Sequence, residues 1–120
     1  MVDEATRKAL DTDLTIDITT IGRASGVPRR IEIWFHRVGG RFYITGTPGR
    51  RDWYANLLAE PWFTFHLKET IEADVKALAA PVTDPATRRR VLGEITRRVG
   101  ATDPLEQWVE HSPLVEVTFF

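Results

Sequence analysis

The sequence predicts a mainly β fold of the α+β class: a single barrel of about six mostly antiparallel strands, with a few short covering helices. Strand-like segments, most of them alternating between apolar and polar residues, occur at 13–21, 29–38, 41–46, 62–68, 71–80 and 114–120. Tight turns join the early strands, so these strands pair antiparallel. In a chain of 120 residues, such strands close most economically into one barrel with helices over one opening.

The first three strands carry the clearest pattern. Ile16 and Ile18 alternate with threonine and aspartate in the first strand, which predicts one buried face. The pair Gly39-Gly40 predicts a hairpin between the second and third strands. The apolar face of the second strand comprises Ile31, Ile33 and Phe35, and its other face comprises Arg30, Glu32, Trp34 and His36.

Four short helices are predicted around these strands. They cover residues 3–10, residues 51–59, a segment that begins at Thr83-Asp84-Pro85, and residues 104–111. Trp53, Asn56 and Leu57 share one face of the second helix. The third helix has an apolar stripe of Val91, Leu92, Ile95 and Val99, and the run Arg88–Arg90 is predicted to be its solvated side.

Composition excludes several classes of function. The absence of cysteine rules out disulfides, thiolate metal sites and cysteine nucleophiles, and His36, His66 and His111 lack metal-ligand spacing. We expect no metal site, with His36 and His66 facing solvent or a dimer partner. No apolar run approaches the ~20 residues of a membrane span. The acidic start lacks a signal segment, which predicts a cytoplasmic protein that is mature as written.

The distribution of charge indicates a small anionic ligand. Sixteen basic and 17 acidic residues leave a net charge of −1, which gives nucleic-acid binding no support. The basic residues are nevertheless clustered at Arg23 to Arg37, at Arg50-Arg51 and at Arg88–Arg90. Local basic patches on a near-neutral protein favour a defined anionic partner.

Three segments together resemble the deazaflavin-dependent nitroreductase and quinone reductase family. They are Thr19–Arg29 (TTIGRASGVPR), Glu32–Phe35 (EIWF) and Gly49–Leu57 (GRRDWYANL). The resemblance covers roughly residues 13–82. It implies one cofactor-binding domain over residues 1–120, a split β-barrel of the flavin-reductase and pyridoxamine-phosphate-oxidase type. It also implies coenzyme F420 as cofactor and hydride transfer to a nitroaromatic, quinone or enone.

Two positions depart from the family pattern. The family usually has lysine after the Gly-Arg of the first motif, where this chain has Ala24. A second basic residue often found after the third strand is replaced by Thr47-Pro48-Gly49, and Arg50 or Arg51 could replace one of the two missing anion contacts. Two alternatives therefore stay open: the same barrel as an FMN-binding reductase, or a non-catalytic protein that binds a cofactor or small ligand.

A cofactor with a planar ring and a phosphate-bearing tail needs donors at one end and flat walls at the other. The Gly22–Gly26 loop brings backbone N–H groups and the Ser25 hydroxyl close to a phosphate. Arg23 and Arg29 flank that loop with guanidinium groups. With the resemblance added, the predicted cofactor-binding residues are Arg23, Ser25, Arg29, Ile33, Trp34, Thr47, Arg50, Arg51, Trp53 and Asn56.

The remaining predictions concern the substrate and a partner. In related enzymes the C-terminal segment shapes the substrate pocket, so Trp108 and His111 are the candidates for packing on the substrate or donating a proton. Hydride transfer itself needs little acid–base machinery, because the cofactor carries the chemistry. Trp34, Tyr43 and Trp62 are predicted to face outward, where they would seal a homodimer.

Overall fold

A computed structural model describes residues 2–120. Its elements, in chain order, are α1 (Glu4–Thr12), β1 (Thr15–Ile21), β2 (Pro28–Val38), β3 (Arg41–Thr45), α2 (Asp52–Ala59), β4 (Trp62–Leu67), β5 (Ala73–Pro81), α3 (Pro85–Val99), α4 (Leu105–His111) and β6 (Leu114–Phe119). Within this part of the chain, no helix combines the length and the apolar character needed to cross a bilayer.

The six strands form a closed antiparallel barrel in the order β1-β2-β3-β6-β5-β4. β1 lies between β2 and β4, so that Ile16 is opposite Ile33 on one side and Leu67 on the other. Closure pairs every strand on both edges and removes the exposed edge that an open sheet would present. The predicted barrel of about six strands is confirmed.

The barrel interior is filled by the apolar residues of the alternating pattern. Phe35 and Phe65 meet edge to face inside it, with ring centroids 5.1 Å apart. Helices contribute to this core from both ends of the barrel. At one end α1 leads directly into β1 and buries Leu10, and at the other α2 connects β3 to β4 and buries Trp53. The expectation that the helices cover one opening is therefore wrong.

A second core lies on the outer face of β2, β3 and β6, under α3 and α4. Its members include Val91, Leu92 and Ile95 of the predicted apolar stripe, whereas Val99 is exposed. Tyr43 points out of the barrel but is only 1% exposed in this layer, so the prediction that it contacts a dimer partner is wrong. Trp34 and Trp62 do lie at the surface.

Both strand histidines are buried, which corrects the expectation that they face solvent. His36 lies on the helix-covered side of β2, where burial and the nearby charge of Arg98 lower its pKa to about 4. His66 is held between strands: its Nε2 is 2.7 Å from Thr19 Oγ1 and its Nδ1 is 2.6 Å from Asp74 Oδ1. Hydrogen bonds on both ring nitrogens explain how a polar side chain is tolerated there.

A capping aspartate sets the start of α3, as the sequence indicates. The Asp84 carboxylate accepts a hydrogen bond from the Thr87 N–H at 2.9 Å, and Pro85 occupies the first turn of α3. Arg88, however, does not belong to a solvated face. Its guanidinium turns under α4 and donates only to backbone carbonyls, those of Val82, Trp108, Val109 and Ser112.

Candidate functional site

The loop between β1 and β2 forms one wall of a cavity of about 540 Å³. Arg23, Ser25 and Arg29 line this cavity together with Trp53 and Asn56 of α2, and we call it the arginine cavity. Five of the ten residues predicted to bind the cofactor therefore share one space. The strand order explains the convergence, because the end of β1 and the start of α2 lie at the same end of the barrel.

Most backbone donors of the Gly22–Gly26 loop are used within the protein. Gly22 N–H donates to the Val27 carbonyl at 2.9 Å, and Gly26 N–H donates to the Gly22 carbonyl at 2.8 Å. A Cβ at Gly22 would meet Ser25 Oγ at 2.6 Å, so glycine is needed here for the turn itself. The loop thus offers fewer backbone donors to a ligand than its glycines suggest.

Asn56 holds Arg23 in place at the cavity wall. Its Oδ1 accepts from the Arg23 backbone nitrogen at 3.1 Å and from Arg23 Nη1 at 2.9 Å, while its Nδ2 donates to Thr20 Oγ1 at 3.2 Å. The other terminal nitrogen of Arg23 lies 3.2 Å from the Asp52 carboxylate. Asn56 is buried, so this side chain fixes α2 to the loop and orients the guanidinium.

The side chains of Arg29 and Ser25 line the arginine cavity and have no acceptor among residues 2–120. The Arg29 guanidinium makes no hydrogen bond or ion pair with any residue from 2 to 120. Ser25 Oγ accepts from the Val27 N–H at 3.1 Å, which leaves its proton available for donation. Within the same range the N–H groups of Ala24 and Ser25 have no backbone partner in the turn. These donors are suited to bind the oxygen atoms of a phosphate group.

A second space of about 630 Å³ lies on the other side of the start of α2. We call it the C-terminal cleft, because Gln107, Glu110 and His111 of α4 line it opposite Arg50 and Tyr54. The loop and α4 are joined directly. Gly49 N–H donates to the His111 carbonyl at 3.0 Å. Gly49 has φ of 130°, a conformation that other residues rarely adopt, so the turn into this cleft requires glycine.

Consecutive residues at the start of α2 divide the two spaces. Asp52 and Trp53 line the arginine cavity, whereas Arg51 and Tyr54 line the C-terminal cleft. The rings of Trp53 and Tyr54 are nearly perpendicular, at 88°, with centroids 6.0 Å apart. The two spaces therefore adjoin at the start of α2, an arrangement that can hold two molecules side by side.

The structure places four predicted residues away from both spaces. Trp34 is 48% exposed on the outer face of β2, beside α1 and the end of α3. Ile33 packs against the barrel core, and Thr47 accepts hydrogen bonds from Arg51 with its carbonyl and its hydroxyl. Trp108 is buried in the second core beneath α3, so it does not reach the cleft.

Several residues that line the two spaces are not among those predicted from the sequence. Ile31 lines the arginine cavity, two residues before Ile33 on the same face of the strand. Tyr54, Gln107 and Glu110 line the C-terminal cleft. The alternation of apolar and polar residues places Ile31 and Ile33 on one face of β2. It does not show that Ile31 lies at the arginine cavity and Ile33 against the barrel core. The position of α4 depends on contacts with α3 that no local pattern reveals.

The structure thus combines a small split barrel, a donor set of the kind that binds phosphate and an adjoining cleft. The chain matches the model of the F420H(2)-dependent quinone reductase family over residues 4–115. It therefore belongs to that family, whose cofactor is coenzyme F420. The residues of the arginine cavity fit this cofactor, because they present guanidinium and hydroxyl donors beside the Trp53 wall. No curated protein matches the chain in sequence.

Solved structures agree on the fold. An F420 reductase superposes with a TM-score of 0.75 at 21% identity, covering 99% of this chain and 96% of its own. The F420-H2 dependent reductase FDR-A superposes with a TM-score of 0.64 at 16% identity, covering 88% and 95%. The heme storage protein HutZ from Vibrio cholerae gives 0.71 at 14% identity, covering 98% and 89%. At such low identities these likenesses establish the split barrel alone.

Proposed function

We propose that this protein reduces quinone-type acceptors with reduced coenzyme F420, and that the two spaces on either side of α2 hold the two reactants. The arginine cavity binds the phosphate-bearing part of the cofactor, and the C-terminal cleft receives the acceptor. The observation that carries the proposal is that consecutive residues at the start of α2 line both spaces, with Trp53 on one side and Tyr54 on the other. Family membership supports the cofactor, and the cleft supports a second bound molecule.

When bound in its reduced form, coenzyme F420 supplies a hydride, which carries two electrons, and a quinone that accepts it needs one further proton to become the hydroquinone. The protein's part is positioning and the exclusion of water. Arg29 and Ser25 hold the phosphate, while Asn56 keeps Arg23 beside it. Trp53 supplies a flat apolar wall next to these donors.

His111 is the side chain suited to deliver that proton. Its ring lies at the rim of the C-terminal cleft with Nε2 3.4 Å from the Glu110 carboxylate, and both side chains are more than half exposed. An imidazole can donate a proton to a bound molecule, and the Glu110 carboxylate lies beside this ring. Among the residues that line this cleft, His111 is the one histidine.

The experiment is a comparison of electron donors and acceptors. Reduced F420 and reduced FMN are each mixed with the protein and menadione, a nitroaromatic or an enone, and oxidation of the donor is followed by absorbance. We expect turnover with F420 and fastest turnover with menadione. The variant Arg90→Glu should turn over as fast as the wild-type protein, because Arg90 is exposed on α3 and lines neither space. Turnover with FMN alone, or none above background with any acceptor, would refute the proposal.

A further inference from the structure

The C-terminal cleft contains positive charge that a neutral quinone would not use. Arg50, Arg51 and Arg88 line it, whereas Glu110 is its one carboxylate. Within residues 2–120, none of the three arginines forms a salt bridge with a carboxylate. Glu110 is already close to His111, at 3.4 Å. The lining therefore carries an excess of positive charge that the protein itself does not neutralise.

The arginines differ in how much of their hydrogen-bonding capacity remains. Arg88 donates to four carbonyls, and Arg51 donates to the carbonyls of Arg50 and Thr47 and to the Thr47 hydroxyl. Carbonyl dipoles hold a guanidinium in place without removing its net charge. The Arg50 guanidinium makes no hydrogen bond within the described chain and stands at the mouth of the cleft. Arg50 is therefore the group free to grip an anion.

Arg88 strengthens the field inside the cleft because it is half-buried. Burial lowers the pKa of this guanidinium below its ordinary value, yet arginine stays protonated at neutral pH. A partly buried charge is screened by salt much less than an exposed one. An anion in the cleft would thus be attracted by Arg88 even where the two groups do not touch.

The rest of the lining is apolar. Pro48, Val82 and Pro113 contribute hydrocarbon surface, and Tyr54 contributes a ring. Such a surface suits a flat, apolar body, while the guanidinium at the mouth suits a charged group attached to it. The two features together describe an amphiphilic anion.

The arginine cavity already provides for the phosphate of the cofactor, so the charge in the cleft is available to another anion. We propose that the acceptor reduced in the C-terminal cleft carries a carboxylate, which Arg50 binds at the mouth within the field of Arg51 and Arg88. This inference rests on the proposed function. The polyanionic tail of the cofactor is a second source of the same chemistry, and the experiment below separates the two sources.

The probes are menadione carrying a carboxyethyl chain and the methyl ester of the same compound. They share the ring and differ in one negative charge. With the wild-type protein and reduced F420 at low ionic strength, we expect the acid to have a KM about tenfold below that of the ester. The acid-to-ester difference should disappear in Arg50→Glu, shrink in Arg50→Gln, and persist in Arg90→Glu, which changes the net charge equally at a site outside the cleft.

The outcomes distinguish the inference from the proposed function. Equal KM values for acid and ester in the wild-type protein would overturn the inference while the observed turnover upholds the reductase function. A larger Kd for F420 in Arg50→Glu with an unchanged acid-to-ester ratio would also overturn it, because the carboxylate would then belong to the cofactor tail. Failure to reduce either quinone would overturn both.

Discussion

The side-chain oxygen of Asn56 accepts two hydrogen bonds from Arg23, one from its backbone nitrogen at 3.1 Å and one from Nη1 at 2.9 Å. The two residues are 33 positions apart. Their contact joins α2 to the loop between β1 and β2, and it places a guanidinium at the wall of the arginine cavity. The wall of the arginine cavity is thus held by a buried amide as well as by the motif loop.

Asn56→Ala should therefore weaken both the fold and cofactor binding. The partly buried N–H of Arg23 and the buried Thr20 hydroxyl lose a partner, which should lower the free energy of unfolding by about 1–3 kcal/mol. The Kd for F420 should rise because Arg23 is no longer oriented. Urea unfolding and fluorescence titration measure the two effects. Asn56→Asp, which keeps both bonds to Arg23, should retain more affinity than Asn56→Ala; equal affinities would contradict the role given to the amide oxygen.

The strands and the positions of the motif loops follow from sequence pattern because they depend on neighbours in the chain. Alternation places Ile16 and Ile18 inside the barrel, and Asp84-Pro85 marks the start of α3. The Asn56–Arg23 contact has no such local signal. A single asparagine on a helix is equally consistent with a bond within its own helix.

Alternation also fails to show which outer face of a barrel is covered. His36 and Tyr43 occupy the outward positions of β2 and β3, which would be exposed in a bare barrel. Both are buried because α3 packs on that side. The prediction for Arg88 fails for the same reason. A charge on an amphipathic helix is usually solvated, but the docking of α4 places three carbonyls beside this one, in addition to that of Val82.

The burial of His36 should make stability depend on pH. Its pKa is about 4 in the folded protein, because burial and Arg98 disfavour the charged ring, against an ordinary value of 6.5. Between these values the unfolded chain binds a proton that the folded chain does not, so stability falls as pH decreases from 6.5 to 4. Over this pH range, the lowered pKa of His36 should reduce the free energy of unfolding by about 3 kcal/mol.

Urea unfolding of the wild-type protein and His36→Gln across this pH range measures the effect. Other groups titrate in both proteins, so the informative quantity is the difference between the two free energies of unfolding. Acidification should destabilise the wild-type protein more than the variant. A difference that stays constant with pH would contradict a neutral, buried His36.

Replacement of Arg88 should loosen the C-terminal cleft. Arg88→Ala removes four hydrogen bonds that tie α3 to Val82, which follows β5, and to the second half and end of α4, and the loss in free energy of unfolding should be about 2–4 kcal/mol. Arg88→Lys cannot reproduce the planar set of donors and should restore only part of it. The KM for the acceptor should rise in both variants. A change confined to the Kd of F420 would show that Arg88 acts on cofactor binding and not on acceptor binding.

Removal of the proposed proton donor should affect turnover and not cofactor binding. His111→Gln keeps a polar side chain at the rim of the cleft but cannot exchange a proton near neutral pH. We expect kcat with menadione to fall about tenfold or more, with little change in the Kd of F420. The pH dependence of kcat should flatten as well. An unchanged kcat and pH profile would assign the proton to water instead.

The most direct test of the account is the affinity of Arg29→Glu for two ligands, F420 and the phosphate-free deazaflavin chromophore. Charge reversal at a free guanidinium of the arginine cavity should weaken F420 binding about a hundredfold and leave chromophore binding nearly unchanged. Arg90→Glu should alter neither. An Arg29→Glu protein that binds F420 as tightly as the wild type, or that loses both ligands equally, would show that the phosphate does not lie between Arg23 and Arg29.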